Sequence, residues 1–164
     1  MFDRSRRRLL TQRPQPDAQR MPWVVADELF TDQCTRCNKC IDACETHIIA
    51  KSDGGFPAVD FHRGECTFCY RCAQACPESL FNPQSDQPWL LQAQANEKCL
   101  AQQKIECRSC SDACEGQAIQ FTLQVGGVAK PNINPEACTG CGACVSLCPI
   151  SAISIVAAPN QENL

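Results

Sequence analysis

Cys66–Pro77 reads CTFCYRCAQACP: four cysteines at gaps of two, two and three residues, closed by a proline. The same C-x2-C-x2-C-x3-C spacing recurs without deviation in CTRCNKCIDAC (Cys34, Cys37, Cys40, Cys44) and in CTGCGACVSLCP (Cys138, Cys141, Cys144, Cys148). A further copy is irregular. In EKCLAQQKIECRSCSDACEG, Glu97–Gly116, the last three cysteines (Cys107, Cys110, Cys114) keep the spacing, but Lys104 stands where the first is due and Cys99 lies further upstream.

The chain has 164 residues and 16 cysteines, a level at which a scaffold cross-linked through sulfur becomes the default reading. Without cysteine the apolar fraction falls from 44% to about a third, low for one ordinary hydrophobic core. Cross-links must then supply much of the folding free energy. Disulfides need an oxidising compartment, and a secretory signal would carry an apolar run that the start, MFDRSRRRLLTQRPQPDAQR, does not show. Nor does any stretch approach a membrane span, so the expectation is a soluble protein of the reducing cytoplasm. Structural zinc uses separated cysteine pairs around one ion, and a tandem triplet serves it poorly.

Iron–sulfur chemistry fits the spacing. Three cysteines at two-residue gaps curl the backbone around a 4Fe–4S cubane, while the fourth, on the next helical turn, points away and ligates the other cluster. By that cross-over, Cys34, Cys37 and Cys40 share a cluster with Cys76, and Cys66, Cys69 and Cys72 share one with Cys44. Cys138, Cys141 and Cys144 pair with Cys114, leaving Cys107, Cys110 and Cys148 in need of a fourth ligand. Cys99 is the one unassigned cysteine. Widening its gap costs roughly 0.9 kcal/mol of loop entropy, against about 10 kcal/mol contributed by a structural metal site. Four clusters are therefore expected, with Cys99 as a ligand; the alternatives are a three-cysteine site with an open iron, or three clusters if the third run holds none.

The four runs form two halves. Runs one and three continue as CETHII and CEGQAI, runs two and four as CPESLF and CPISAI, and each half carries a double glycine, Gly54–Gly55 and Gly126–Gly127. This self-similarity makes the body a duplication. The expected class is α+β: duplicated 2(4Fe–4S) ferredoxin-like modules of short strands and helices. The expected division is a disordered Arg-rich arm (1–20), a first two-cluster module (21–83), a linker (84–96), a second module (97–157) and a disordered tail (158–164). Strand patterns appear at Phe56–Phe61, AIQFTL and AISIVA, short helical turns at the third cysteine of each run, and turns at the glycine pairs. SDQPWLLQAQANEK suits a short helix opened by Pro88, although its periodicity also admits a strand.

Charge divides the chain. Residues 1–20 carry a net +4 and the remaining 144 a net −7. The acidic body excludes nucleic acid as a natural partner and suits a cationic docking patch on a redox protein. SRRRLL is either a solvated basic arm or a likeness of a twin-arginine export signal without its apolar core. Arg36, Lys39, Arg71 and Arg108 lie within the runs, either as surface charge or favouring reduced, more anionic clusters. His47 and His62 are expected to be exposed, and Trp23 and Trp89 to be packed anchors. No phosphate loop, nucleophile–base pair or flavin fingerprint is present, so no enzyme and no small-molecule substrate are expected.

Together, SRRRLL, the Pro22–Trp23 approach to run one, CTFCYRCAQACPESLF, the displaced first cysteine of run three and CTGCGACVSLCP resemble the NapF-type ferredoxins associated with periplasmic nitrate reductase. The resemblance implies a cytoplasmic accessory protein that acts on the catalytic subunit of the reductase before export. Its implied role is maturation, by electron transfer or by assembly of that subunit's own 4Fe–4S centre. Two other roles stay open: an electron-carrier subunit of respiratory flow, and a chaperone-like binder with structural clusters.

Overall fold

A computed structural model describes residues 18–158. Within these residues the elements are short, as a chain organised by its cysteine loops requires. In chain order they are α1 (Asp27–Gln33), α2 (Lys39–Asp42), β1 (Ile49–Lys51), β2 (Pro57–Val59), α3 (Arg71–Gln74), β3 (Leu91–Ala95), α4 (Ser109–Asp112), β4 (Ile119–Gln124), β5 (Gly127–Ile133), α5 (Ala143–Ser146) and β6 (Ile153–Ala157). The mixed content of small helices and short strands is compatible with duplicated ferredoxin-like modules. No helix among the described residues is long and apolar enough to cross a membrane.

The helical turns α2 to α5 each take the third cysteine of a run at their second position: Cys40, Cys72, Cys110 and Cys144. The sequence placed their starts one residue later. In α1, Asp27 and Glu28 occupy the first turn, where carboxylates favour the positive end of the helix dipole. Phe30 buries itself in the core, and the Cys34 amide donates to the Phe30 carbonyl at 2.9 Å, so α1 runs directly into the first cysteine.

Each half contains an antiparallel hairpin across its double glycine. β1 pairs β2 with Ile49 opposite Val59, and β4 pairs β5 with Ile119 opposite Ile133. A third pairing joins distant parts of the chain: β3 lies antiparallel to β6, from Leu91 opposite Ala157 to Ala95 opposite Ile153. The segment expected as a linker, with a helix as one reading, thus contributes a strand. The reason is tertiary. β6 has an open edge, and the LQAQA backbone satisfies it while Ala93 turns into the core. The first half repeats this in miniature, with an isolated bridge between Val24 and Phe81.

Residues 1–17 and 159–164, which include SRRRLL and almost all of the expected tail, lie outside the described residues. The end of the expected arm is packed instead of free. The Gln19 carbonyl accepts from the Val59 amide at 2.7 Å, and Arg20 pairs with Asp27 at 2.6 Å, donates to the Pro57 carbonyl and covers the rings of Phe30 and Phe56. An Arg stem over aromatic faces is held by dispersion and cation–π attraction, which charge patterning alone does not reveal.

The core is one continuous apolar cluster built around thiols. Cys72, Cys110 and Cys144 are buried within it beside Phe30, Ile48, Phe61, Leu80, Ile119, Val145 and Ile153, and cysteines of all four runs pack against it. Among the described residues no polar or charged residue is buried.

Candidate iron–sulfur centres

The loops between cysteines are shaped by left-handed residues. Arg36 and Asn38 in run one, Phe68 and Tyr70 in run two, and Gly140 and Gly142 in run four all have positive φ, between 54° and 88°. Each non-glycine residue in that conformation costs about 1–2 kcal/mol, so the loops need a compensating interaction. Alternation of left- and right-handed backbone gathers amide N–H groups into a concave nest, a common device at iron–sulfur sites. Gly140 and Gly142 were the visible sequence signal for it; Arg36, Asn38, Phe68 and Tyr70 gave none. Run three departs from this shape. Arg108 has φ of −133°, and the left-handed residue is Lys104 instead.

Twelve of the sixteen cysteines fall into three groups with the composition that the cross-over expects. Cys34, Cys37, Cys40 and Cys76 line one cavity, and Cys44, Cys66, Cys69 and Cys72 another. Cys114, Cys138, Cys141 and Cys144 line a third. The volumes they enclose are alike, about 20, 20 and 30 Å³ in that order. In the remaining group the Cys110 thiol has Cys99 and Cys107 as charged-state neighbours. The path to Cys99 runs through β3: the Asn96 amide donates to the Ala152 carbonyl at 2.9 Å, and the Cys99 amide to the Asn96 carbonyl at 3.1 Å. Ala152 in turn donates its amide to Cys148 Sγ at 3.2 Å. The β3–β6 pairing therefore carries Cys99 toward Cys148.

Backbone amides also point at sulfur elsewhere in the second half. Ala93 donates to Cys138 Sγ and Ala118 to Cys114 Sγ, both at 3.3 Å. Burial, and after it mutual repulsion among thiolates, pushes the Cys72 and Cys144 thiols up to about 12. Burial likewise raises Cys40, Cys66 and Cys110 to about 11. Without a cation these thiols stay protonated; positive charge from iron is what would draw the protons off. Cys37 is exposed, and the Lys39 backbone amide pulls its thiol below the ordinary value.

The arginines within the runs are engaged on protein groups, whereas Lys39 is exposed. Arg36 donates to the Gly54 carbonyl and lies over Phe56, and Arg108 pairs with Glu106 and lies over Phe121. Arg71 pairs with Glu45 at 3.0 Å. Glu45 also accepts from the Thr67 hydroxyl at 2.7 Å, and these two contacts, Thr67 first, hold its carboxyl below the usual range. Glu45, which takes the place of proline after run one, thus clamps the run-two loop. His47 and His62 are exposed. Trp23 is buried and Trp89 half-buried, both bonded through the indole N–H.

The donor set suits a polynuclear centre. Among the described residues no three His, Cys, Asp or Glu side chains converge as ligands of a single ion, whereas sets of four thiols stand around cavities of nearly equal size. Soft thiolates in such numbers select iron–sulfur clusters.

The 4Fe-4S dicluster domain family matches the chain twice, over residues 33–80 and 105–152. Each match spans two cysteine runs, and the second begins after Cys99. With sixteen cysteines in four runs, the cofactors are 4Fe–4S clusters, up to four. A ferredoxin-type protein NapF from Haemophilus influenzae is 52% identical over 136 residues, covering 83% of this chain and 77% of that protein. A ferredoxin-type protein NapF from Escherichia coli is 47% identical over 155 residues, covering 93% and 94%. A methylamine utilization ferredoxin-type protein MauM from Methylobacillus flagellatus is 28% identical over 177 residues, covering 95% and 75%. No solved structure matches the chain significantly. Paired cysteine runs, their cross-over grouping and near-complete coverage by these relatives lead to one assignment: the chain belongs to the ferredoxin-type NapF family, built on two 4Fe-4S dicluster domains.

Proposed function

We propose that this protein is an electron-carrying accessory protein of periplasmic nitrate reductase, working in the cytoplasm on the catalytic subunit before its export. The ligand sets are Cys34, Cys37, Cys40 and Cys76; Cys66, Cys69, Cys72 and Cys44; Cys138, Cys141, Cys144 and Cys114; and Cys99, Cys107, Cys110 and Cys148. The observation that carries the reading is the grouping of four thiols around each of three cavities of like size. When bound, the clusters supply one-electron redox chemistry. The chain's own part is to supply thiolates, aim backbone amides at sulfur and keep water from the buried side of each site.

Two 4Fe-4S dicluster domain matches, which together take in fifteen of the sixteen cysteines, support a carrier in preference to an enzyme. The resemblance to NapF-type proteins connects the carrier to nitrate reductase, and maturation of the subunit's 4Fe–4S centre is the step that needs electrons or cluster assembly before export. A tagged version of this protein should copurify with the catalytic subunit from the cytoplasm. A reductase that is fully loaded with its cluster and active in cells lacking this protein would overturn the reading.

A further inference from the structure

Within each half the two groups adjoin: α2, carrying Cys40, packs on α3, carrying Cys72, and α4, carrying Cys110, packs on α5, carrying Cys144. Cys40 of the first group neighbours Cys72 of the second, and Cys66 of the second neighbours Cys141 of the fourth run's group. Cys144 of that group neighbours Cys110 of the last. The middle step crosses between the two halves, and it is made by the cysteine loops themselves. The Cys66 amide donates to the Cys141 carbonyl at 2.8 Å. Gly142, with φ of +88°, lies so close that a Cβ there would fall 2.0 Å from Phe61 Cδ1. Trp89 fastens both loops. It packs edge-on against Phe68 of run two at 5.5 Å and against Phe61 at 5.8 Å, and its Nε1 donates to the Thr139 carbonyl of run four at 2.9 Å.

We propose that this seam is an electron bridge: the Cys66–Cys141 backbone hydrogen bond joins the halves, so that electrons run along one row of four sites and not within two separate pairs. Two modules joined for stability alone could meet on any apolar face. Here the meeting face is the pair of loops that carry ligands, and a left-handed glycine permits the close approach. The path from Cys66 Sγ to Cys141 Sγ runs through covalent bonds and a single hydrogen bond. The inference rests on the proposed electron-carrying role. In each passage one electron leaves a low-potential one-electron donor at one end and reduces a one-electron acceptor at the other; no bond forms or breaks and no proton moves. The ends of the row are the group containing exposed Cys37 and the group containing Cys99, which is flanked by exposed Lys98 and Lys104.

The test uses the full-length, iron-loaded protein and its Trp89→Ala and Trp89→Phe variants, the second keeping a ring but losing the N–H to Thr139. Each is photoreduced with deazaflavin to less than one electron per chain, and freeze-quenched EPR follows the redistribution of spins among the clusters. The wild type should redistribute in one phase independent of protein concentration. The variants, at unchanged iron content, should leave a fraction that moves several-fold more slowly and faster at higher concentration, because those electrons must cross between molecules. Wild-type redistribution that itself depends on concentration, or the same rate in all three proteins, would overturn the bridge while leaving the carrier role intact. Clusters that accept no electron would overturn the carrier role and the bridge together.

Discussion

Replacing Cys99 with serine tests the least regular part of the site. A serine hydroxyl keeps the size of the side chain but supplies no thiolate. The seven-residue gap between Cys99 and Cys107 costs roughly 0.9 kcal/mol more in loop closure than the regular gap of two. The fold reduces even this cost, because β3 is paired to β6 over Leu91–Ala95 and Asn96 is bonded to Ala152, so the chain upstream of Cys99 is already fixed. Against this stands the roughly 10 kcal/mol of a structural metal site. Lys104 cannot substitute, since its ammonium carries no lone pair at neutral pH. Iron content after anaerobic purification should therefore fall from about sixteen per chain to about twelve, or to about fifteen if a 3Fe–4S form persists with its own EPR signal. Signals from the first half should be unchanged. Iron content and spectra equal to wild type would show that Cys99 is a bystander and that the argument from strand pairing fails.

Gly142→Ala should lower the stability of the iron-loaded protein by about 2–4 kcal/mol, from left-handed strain and the clash with Phe61. Gly126→Ala, at φ of +71° with nothing within 4 Å, should cost only about 1 kcal/mol; thermal melts of the two separate packing from strain. Chelation of iron should abolish the near-ultraviolet circular dichroism, because the core is packed on its thiols and the left-handed loops lose their compensation. Whatever compactness the iron-free chain retains should weaken above about pH 9. Folded-state thiol values raised to about 11 and 12 favour the protonated, compact form below the ordinary value of 9.0 and lose that advantage as pH rises. Urea midpoints at pH 7 and pH 10 should fall for the iron-free chain and hold for the loaded one.

The four cysteine runs and their 4Fe–4S character were legible before any coordinates, because ligand spacing is a local, covalent property: gaps of two residues curl a loop whatever surrounds it. The duplication, the turns at Gly54–Gly55 and Gly126–Gly127, and the helical turns at the third cysteines were legible from equally local signals, whereas the strands Ile49–Lys51 and Gly127–Ile133 that complete the hairpins were not. The seam was not. Nothing local tells that Gly142 meets Phe61 or that Trp89 fastens Phe68 to Thr139, since these residues come from different halves and meet only when both are folded. LQAQA gave an ambiguous period, and it is a strand because β6, some sixty residues downstream in the sequence, offers it an edge. Cys99 shows both sides of the division. Its role as a spare thiolate was countable from the sequence, while its delivery toward Cys148 depends on backbone hydrogen bonds between segments that the linear order keeps far apart.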